Sequence, residues 1–118
     1  MRTVSKLLNL DGYVYVYLRG KNIINLFLKN AEAEGFTYGD GVKPTERQGD
    51  DIMALKRDWA MSFVGMAGCL AFRSFDMHSD VKIFRVDYSK YLSGAKSYLI
   101  LSKSEMNKWL NLGKNNIA

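Results

Sequence analysis

The fold depends most on one stretch of the chain, residues 12–19, which read GYVYVYLR. Its side chains alternate strictly, so an extended chain would place three aliphatic residues on one side and three tyrosines on the other. The aliphatic set is Val14, Val16 and Leu18, and the aromatic set is Tyr13, Tyr15 and Tyr17. Both kinds of residue favour strands, so this stretch is the clearest predicted strand.

A helix is predicted immediately after this strand, over residues 21–34. Gly20 ends the strand, and apolar residues then recur at helical spacing. They are Ile23, Ile24, Phe27, Leu28 and Ala31. Gly35 stands where a helix would stop, and residues 36–38 favour a short strand. Strand, helix and strand in this order indicate a crossover that packs its helix on one face of a sheet.

The remaining pattern predicts more strands and a second helix. Strands are expected over 52–55, from Trp59 to 64, over 81–87 and over 98–101, with a turn at 56–58 and a turn or helical cap at 88–94. One helix over 50–61 is the alternative for the middle of the chain, and 66–72 could be a short helix or a bent strand. Ser102 and Glu105 match a capping box, which would open a C-terminal helix ending near Gly113.

These elements predict an α+β fold with a small, mostly antiparallel sheet, one long helix after the first strand and a C-terminal helix. The 118 residues suit a single domain spanning 1–118, with 1–10 and 114–118 flexible.

No apolar run in the sequence approaches the roughly 20 residues of a membrane span. The single cysteine cannot form an internal disulfide. We therefore expect a soluble protein in the cytoplasm of the cell that makes it, in an oligomeric state that the sequence leaves open.

Catalytic and metal-binding constellations are not recognisable in the sequence. Cys69 is the only cysteine and His78 the only histidine, and no residue is placed to orient the imidazole. Asp76 and Asp80 are the only other nearby candidate ligands, and their spacing matches no structural zinc pattern. We expect neither an enzyme nor a cofactor or metal ion.

A loop over residues 39–50 is the first candidate binding segment. It holds three glycines, the only proline and five charged residues, and long exposed loops often carry function. We expect it to bind another protein together with the tyrosine face of the first strand. The predicted contact residues are Asp40, Lys43, Glu46, Arg47, Tyr13, Tyr15 and Tyr17.

A nucleic-acid-binding module is the alternative, because the net charge is +5 and basic residues surround the strand at 81–87. The candidate residues are Arg73, Lys82, Arg85, Lys90 and Lys96. Lys82 and Arg85 would face opposite sides of a strand, so a single basic face is not guaranteed. Tyrosines spaced at period two could stack on bases.

Three segments carry a resemblance: GFTYGDGVKPTE at 35–46, FVGMAG at 63–68 and RVDY at 85–88. They look like segments of small uncharacterised proteins carried by phages and mobile elements of Gram-positive gut bacteria, over roughly residues 12–94. Some small proteins of that origin are anti-CRISPR inhibitors, which occupy a nuclease surface without catalysis. The resemblance implies a non-enzymatic binding protein in the cytoplasm of a bacterial host cell, with an inhibitor of a CRISPR effector nuclease as its specific form. The positive charge departs from the acidic DNA mimics among such inhibitors.

Overall fold

The computed structural model describes residues 2–63 and 83–100, which form one mixed sheet and two helices. The strands and helices in chain order are β1 (Tyr13–Tyr17), α1 (Lys21–Glu34), β2 (Thr37–Tyr38), β3 (Ile52–Leu55), β4 (Ala60–Phe63), β5 (Ile83–Asp87) and α2 (Tyr88–Leu92). Two short 3-10 helices cover Ser5–Asn9 and Pro44–Glu46. The predicted α+β class is confirmed.

The sheet has the strand order β2-β4-β3-β1-β5 and is mixed rather than mostly antiparallel. Strand β3 runs antiparallel to β1 and to β4, whereas β5 is parallel to β1 and β2 is parallel to β4. The prediction of a mostly antiparallel sheet was wrong because the crossover through α1 returns β2 in the direction of β1. Alternation of side chains identifies a strand but carries no information about the direction of its neighbour.

The predicted β1–α1–β2 crossover is confirmed. Helix α1 has the expected bounds, and it ends at Gly35, whose φ of 101° is the left-handed conformation that glycine adopts without steric cost. Its buried face consists of Phe27, Leu28 and Ala31. In the sheet, the hairpin of β3 and β4 lies between the two strands that the crossover joins.

The core lies between α1 and the aliphatic face of β1. Val14 pairs with Leu55 on β3, and Val16 pairs with Met53 on one side and Val86 on the other. All five side chains are buried and belong to one cluster with the apolar face of α1. The alternation of β1 therefore places its aliphatic side against the helix, as the sequence predicts.

The middle of the chain forms the predicted strands, so the alternative helix over 50–61 does not form. Residues 56–58 make the predicted turn between β3 and β4. Helix α2 stands at the predicted helical cap, where the Asp87 carboxylate accepts a hydrogen bond from the Lys90 amide at 3.3 Å. The strand predicted at 98–101 contributes one bridge, from Leu99 to Val86.

Several predictions fall at or beyond the limits of the described residues. The predicted short helix or bent strand at 66–72 and the C-terminal helix after Ser102 lie outside them. Residues 1–10 were expected to be flexible, yet Val4 and Leu7 are buried in the core cluster. Within residues 2–63 and 83–100, no helix combines the length and the apolar character needed to cross a membrane.

Candidate protein-binding surface

Hydrogen bonds hold the loop at 39–50 against helix α1. The backbone amide and the hydroxyl of Thr45 both donate to the Glu32 carboxylate, at 3.1 and 2.6 Å, and these bonds lower the pKa of Glu32. Pro44 is buried. At Gly49 a Cβ would lie 2.6 Å from the Ile24 side chain, so only glycine allows this approach. The loop therefore has a defined shape although its charged side chains face solvent.

Two of the predicted contact residues on this loop are paired with each other. Arg47 donates from Nη2 to Asp40 Oδ2 at 2.6 Å and from Nη1 to Oδ1 at 3.3 Å. This two-pronged hydrogen bond lowers the pKa of Asp40 and raises the pKa of Arg47. The guanidinium also lies 4.9 Å from the centre of the Tyr38 ring. The other two predicted residues, Lys43 and Glu46, are exposed.

Two pairs of aromatic rings lie where β2 meets β4. We call these four residues the aromatic edge: Phe36, Tyr38, Trp59 and Phe63. Trp59 packs on Phe36 with ring centres 4.9 Å apart, and Phe63 stacks on Tyr38 at 5.5 Å. The inner rings of Phe36 and Tyr38 are buried, whereas Trp59 is 42% exposed and Phe63 is 45% exposed. The two exposed residues are four positions apart, roughly 13 Å along a strand.

Trp59 has a backbone conformation that is costly for its residue type. It is the only non-glycine residue with positive φ in the described part of the chain, at 65°. The turn that requires this conformation is closed by hydrogen bonds from the Trp59 amide to the Lys56 carbonyl and from the Lys56 amide to the Ala60 carbonyl. Left-handed backbone costs an L-residue about 1–2 kcal/mol, and glycine is the usual occupant.

Both outer strands of the sheet are covered over part of their length by neighbouring backbone. Next to β2, the Tyr38 amide donates to the Val42 carbonyl at 2.9 Å. Next to β5, the Asp87 amide donates to the Tyr98 carbonyl, and the Ile100 amide donates to the Arg85 carbonyl. A partner therefore cannot add a strand at these positions. The surface at the aromatic edge offers side chains instead.

The tyrosine face of β1 is only partly accessible. Tyr13 is 58% exposed, Tyr15 is half-buried and Tyr17 is fully buried. Arg85 lies beside Tyr15 in the strand register and is only 6% exposed, and this burial lowers the pKa of its guanidinium. Tyr17 is thus not placed to stack on a partner.

The basic residues of the nucleic-acid alternative do not form one described surface. Because Arg85 is buried, its guanidinium is not presented to a phosphate backbone. Lys90 and Lys96 are exposed. Arg73 and Lys82 lie outside the described residues. The structure therefore shows two of the five at the surface, and no observation in the described residues favours nucleic acid as the partner.

Candidate metal ligands are not brought together in the part of the chain that the structure describes. There, no cluster of three or more histidine, cysteine, aspartate or glutamate residues could hold a metal ion. Cys69 and His78 lie outside the described residues. The described surface presents two exposed rings, the Arg47–Asp40 pair and a loop held against α1 by hydrogen bonds.

Trp59 and Phe63 are the residues that the sequence interpretation missed as candidates for binding. Their alternation with Ala60 and Ser62 correctly predicted β4, but it did not distinguish buried from exposed aromatic rings. The sequence did contain one indication: a tryptophan follows the turn at 56–58, at a position where a hairpin commonly has glycine.

No protein-family model, curated protein or solved structure matches the chain.

Proposed function

We propose that the chain is a non-enzymatic binding protein of a mobile element, which binds another protein through the aromatic edge and the 39–50 loop. The observation that carries this proposal is Trp59, a large half-exposed ring held in a strained conformation. Turn formation alone would favour glycine at this position. Strain of this kind is typical of positions where function outweighs stability.

The composition of the surface supports a protein partner. Tryptophan and arginine are among the residues that dominate the binding energy of protein interfaces. Trp59 packs on Phe36, and Arg47 lies over the Tyr38 ring that Phe63 stacks against. Both exposed rings rest on buried rings, so they are positioned before a partner arrives. The loop is already fixed by Glu32, which reduces the entropy that binding would cost.

The class of partner comes from the resemblance to mobile-element proteins, some of which are anti-CRISPR inhibitors. We therefore propose a CRISPR effector nuclease as the partner. The chain would occupy a surface of the nuclease and block its access to DNA or a conformational step. Such inhibition requires no catalytic residue in the chain.

The test is direct binding to a panel of purified CRISPR nucleases from Gram-positive bacteria. Trp59→Gly removes the ring and suits the positive φ, and Phe63→Ala removes the second exposed ring. Each variant should weaken binding at least about tenfold, the effect expected of an interface hot spot. Leu26→Ala is the control. Leu26 is an apolar side chain of comparable exposure, 40%, but it lies on α1 and belongs neither to the aromatic edge nor to the loop.

Two results would count against the proposal in different ways. If no nuclease in the panel binds, the proposed partner class is wrong. If a nuclease binds but tolerates both aromatic substitutions, the proposed surface is wrong. Binding that falls steeply with added salt, and that is unchanged by these substitutions, would instead favour the basic residues and nucleic acid.

A further inference from the structure

The N-terminal segment connects two parts of the fold that are distant in sequence. We call residues 2–5 the N-terminal strap. At one end of the strap, the amides of Val4 and Ser5 donate to the two oxygens of the Glu34 carboxylate, at 2.7 and 2.9 Å. Glu34 is the last residue of α1, where the helix dipole disfavours an acid. Its carboxylate is instead used to hold the strap.

The other end of the strap is held by Arg2. Its Nη1 donates to the carbonyl oxygens of Tyr91 and Ala95, at 3.1 and 2.7 Å. The same guanidinium lies over the rings of Tyr91 and Tyr98, 5.4 and 4.9 Å from their centres. The Tyr91 hydroxyl donates in return to the Thr3 carbonyl at 2.6 Å. The strap thus bridges the end of α1 and the segment that begins with α2.

A cavity of about 590 Å³ lies beside this bridge, and Arg2, Glu34, Tyr88 and Leu92 are among its lining residues. A fifth lining residue, Asn30, donates to the Tyr88 hydroxyl at 3.0 Å. The carboxylate of Glu34 and Nη1 of Arg2 are both bonded to the chain itself. The charged groups of this cavity therefore hold the strap.

We propose that the N-terminal strap opens as a unit and exposes this cavity while the sheet stays folded. The strap contributes one fully buried apolar side chain, Val4. It is otherwise held by hydrogen bonds at its two ends and by the Arg2 guanidinium over the rings of Tyr91 and Tyr98. Segments held by few buried contacts open at lower free energy than the core. The strap is thus a conformational device of the fold, independent of the aromatic edge.

Hydrogen exchange of individual backbone amides tests this proposal on the full chain. In the unmodified protein, the Val4 and Ser5 amides should exchange at similar rates, and faster than core amides such as those of Val16 and Met53. Arg2→Lys keeps the positive charge but loses the planar fork and its stacking. It should accelerate exchange at Val4 and Ser5 at least about tenfold, because hydrogen bonds to charged groups are among the stronger ones.

The control is Arg57→Lys, since Arg57 is exposed and pairs with Asp11 at 3.5 Å, away from the strap. This control should leave exchange at Val4 and Ser5 unchanged. If Arg2→Lys accelerates all amides by one factor, the strap is part of global unfolding and the proposal is overturned. Equal exchange of the strap and the core in the unmodified protein would overturn it without any variant.

Discussion

The strain at Trp59 can be measured by comparing two substitutions that remove the same ring. Trp59→Ala and Trp59→Gly both lose the half-buried indole and its contact with Phe36. Alanine would still have to adopt a φ near 65°, which costs about 1–2 kcal/mol, whereas glycine would not. Glycine loses more chain entropy on folding, about 0.5–1 kcal/mol. Trp59→Gly should therefore be the more stable of the two by about 0.75 kcal/mol, the difference between the midpoints of the two ranges.

Urea unfolding of both variants is the assay, and thermal unfolding should show a difference of roughly 3–5 °C. Both variants should be less stable than the unmodified protein, because about 60% of a large apolar side chain leaves a buried position. Phe63 provides the control, since it lies in β4 and has no positive φ. At that position alanine should be more stable than glycine. The change in stability from alanine to glycine should therefore be more favourable at position 59 than at position 63 by about 1–2 kcal/mol, and an equal change at the two positions would refute the strain argument.

Three further predictions concern the loop and the tyrosines. Gly49→Ala should destabilise the chain by about 1–3 kcal/mol in urea unfolding, because its Cβ would overlap a side chain of α1, whereas Gly39→Ala, with nothing within 4 Å, should have little effect. Arg47 lowers the pKa of Asp40, so this pair should contribute stability above pH 3.8 and lose it as the pH falls through the lower folded pKa. Asp40→Asn should flatten the stability profile in that acidic range, and an unchanged profile would contradict the pairing. Burial raises the pKa of Tyr91 to about 12, so an ultraviolet titration should lose a step near that pH in Tyr91→Phe.

The first third of the fold could be predicted because its local signals agree with one another. The alternation over 12–19, the helical spacing over 21–34 and the glycine at 35 each favour one structure. The helix has the predicted bounds, and the strand covers Tyr13–Tyr17 of the predicted stretch. The hairpin of β3 and β4 was also predicted, although a helix over 50–61 remained open because short apolar runs fit either structure.

The direction of the strands could not be predicted, because it depends on how β2 and β5 join strands that are distant in sequence. The exposure of individual side chains could not be predicted from the sequence either. Tyr17 and Tyr13 occupy equivalent positions in an alternating strand, yet Tyr17 is fully buried and Tyr13 is 58% exposed. Arg85 was likewise predicted at the surface, as a candidate nucleic-acid contact, and it is buried. Burial of this kind is decided by tertiary neighbours and not by the local pattern.

The loop at 39–50 could be predicted in its position but not in its internal contacts. The charged residues were correctly placed on a connection between strands, but the pairing of Asp40 with Arg47 depends on the turn that brings them together. The positive φ of Trp59 could not be predicted, because this residue type disfavours it. The predicted loop and the missed aromatic edge meet at Tyr38, where Arg47 lies over the ring that Phe63 stacks against.

The most direct test of the proposed function is inhibition of DNA cleavage by a purified CRISPR nuclease that binds the chain. The unmodified protein and Leu26→Ala should suppress cleavage at equal concentrations. Trp59→Gly, once shown to be folded, should require at least about tenfold more protein for the same suppression. Full suppression by Trp59→Gly at the unmodified protein's concentration, or no suppression by the unmodified protein, would contradict the proposal.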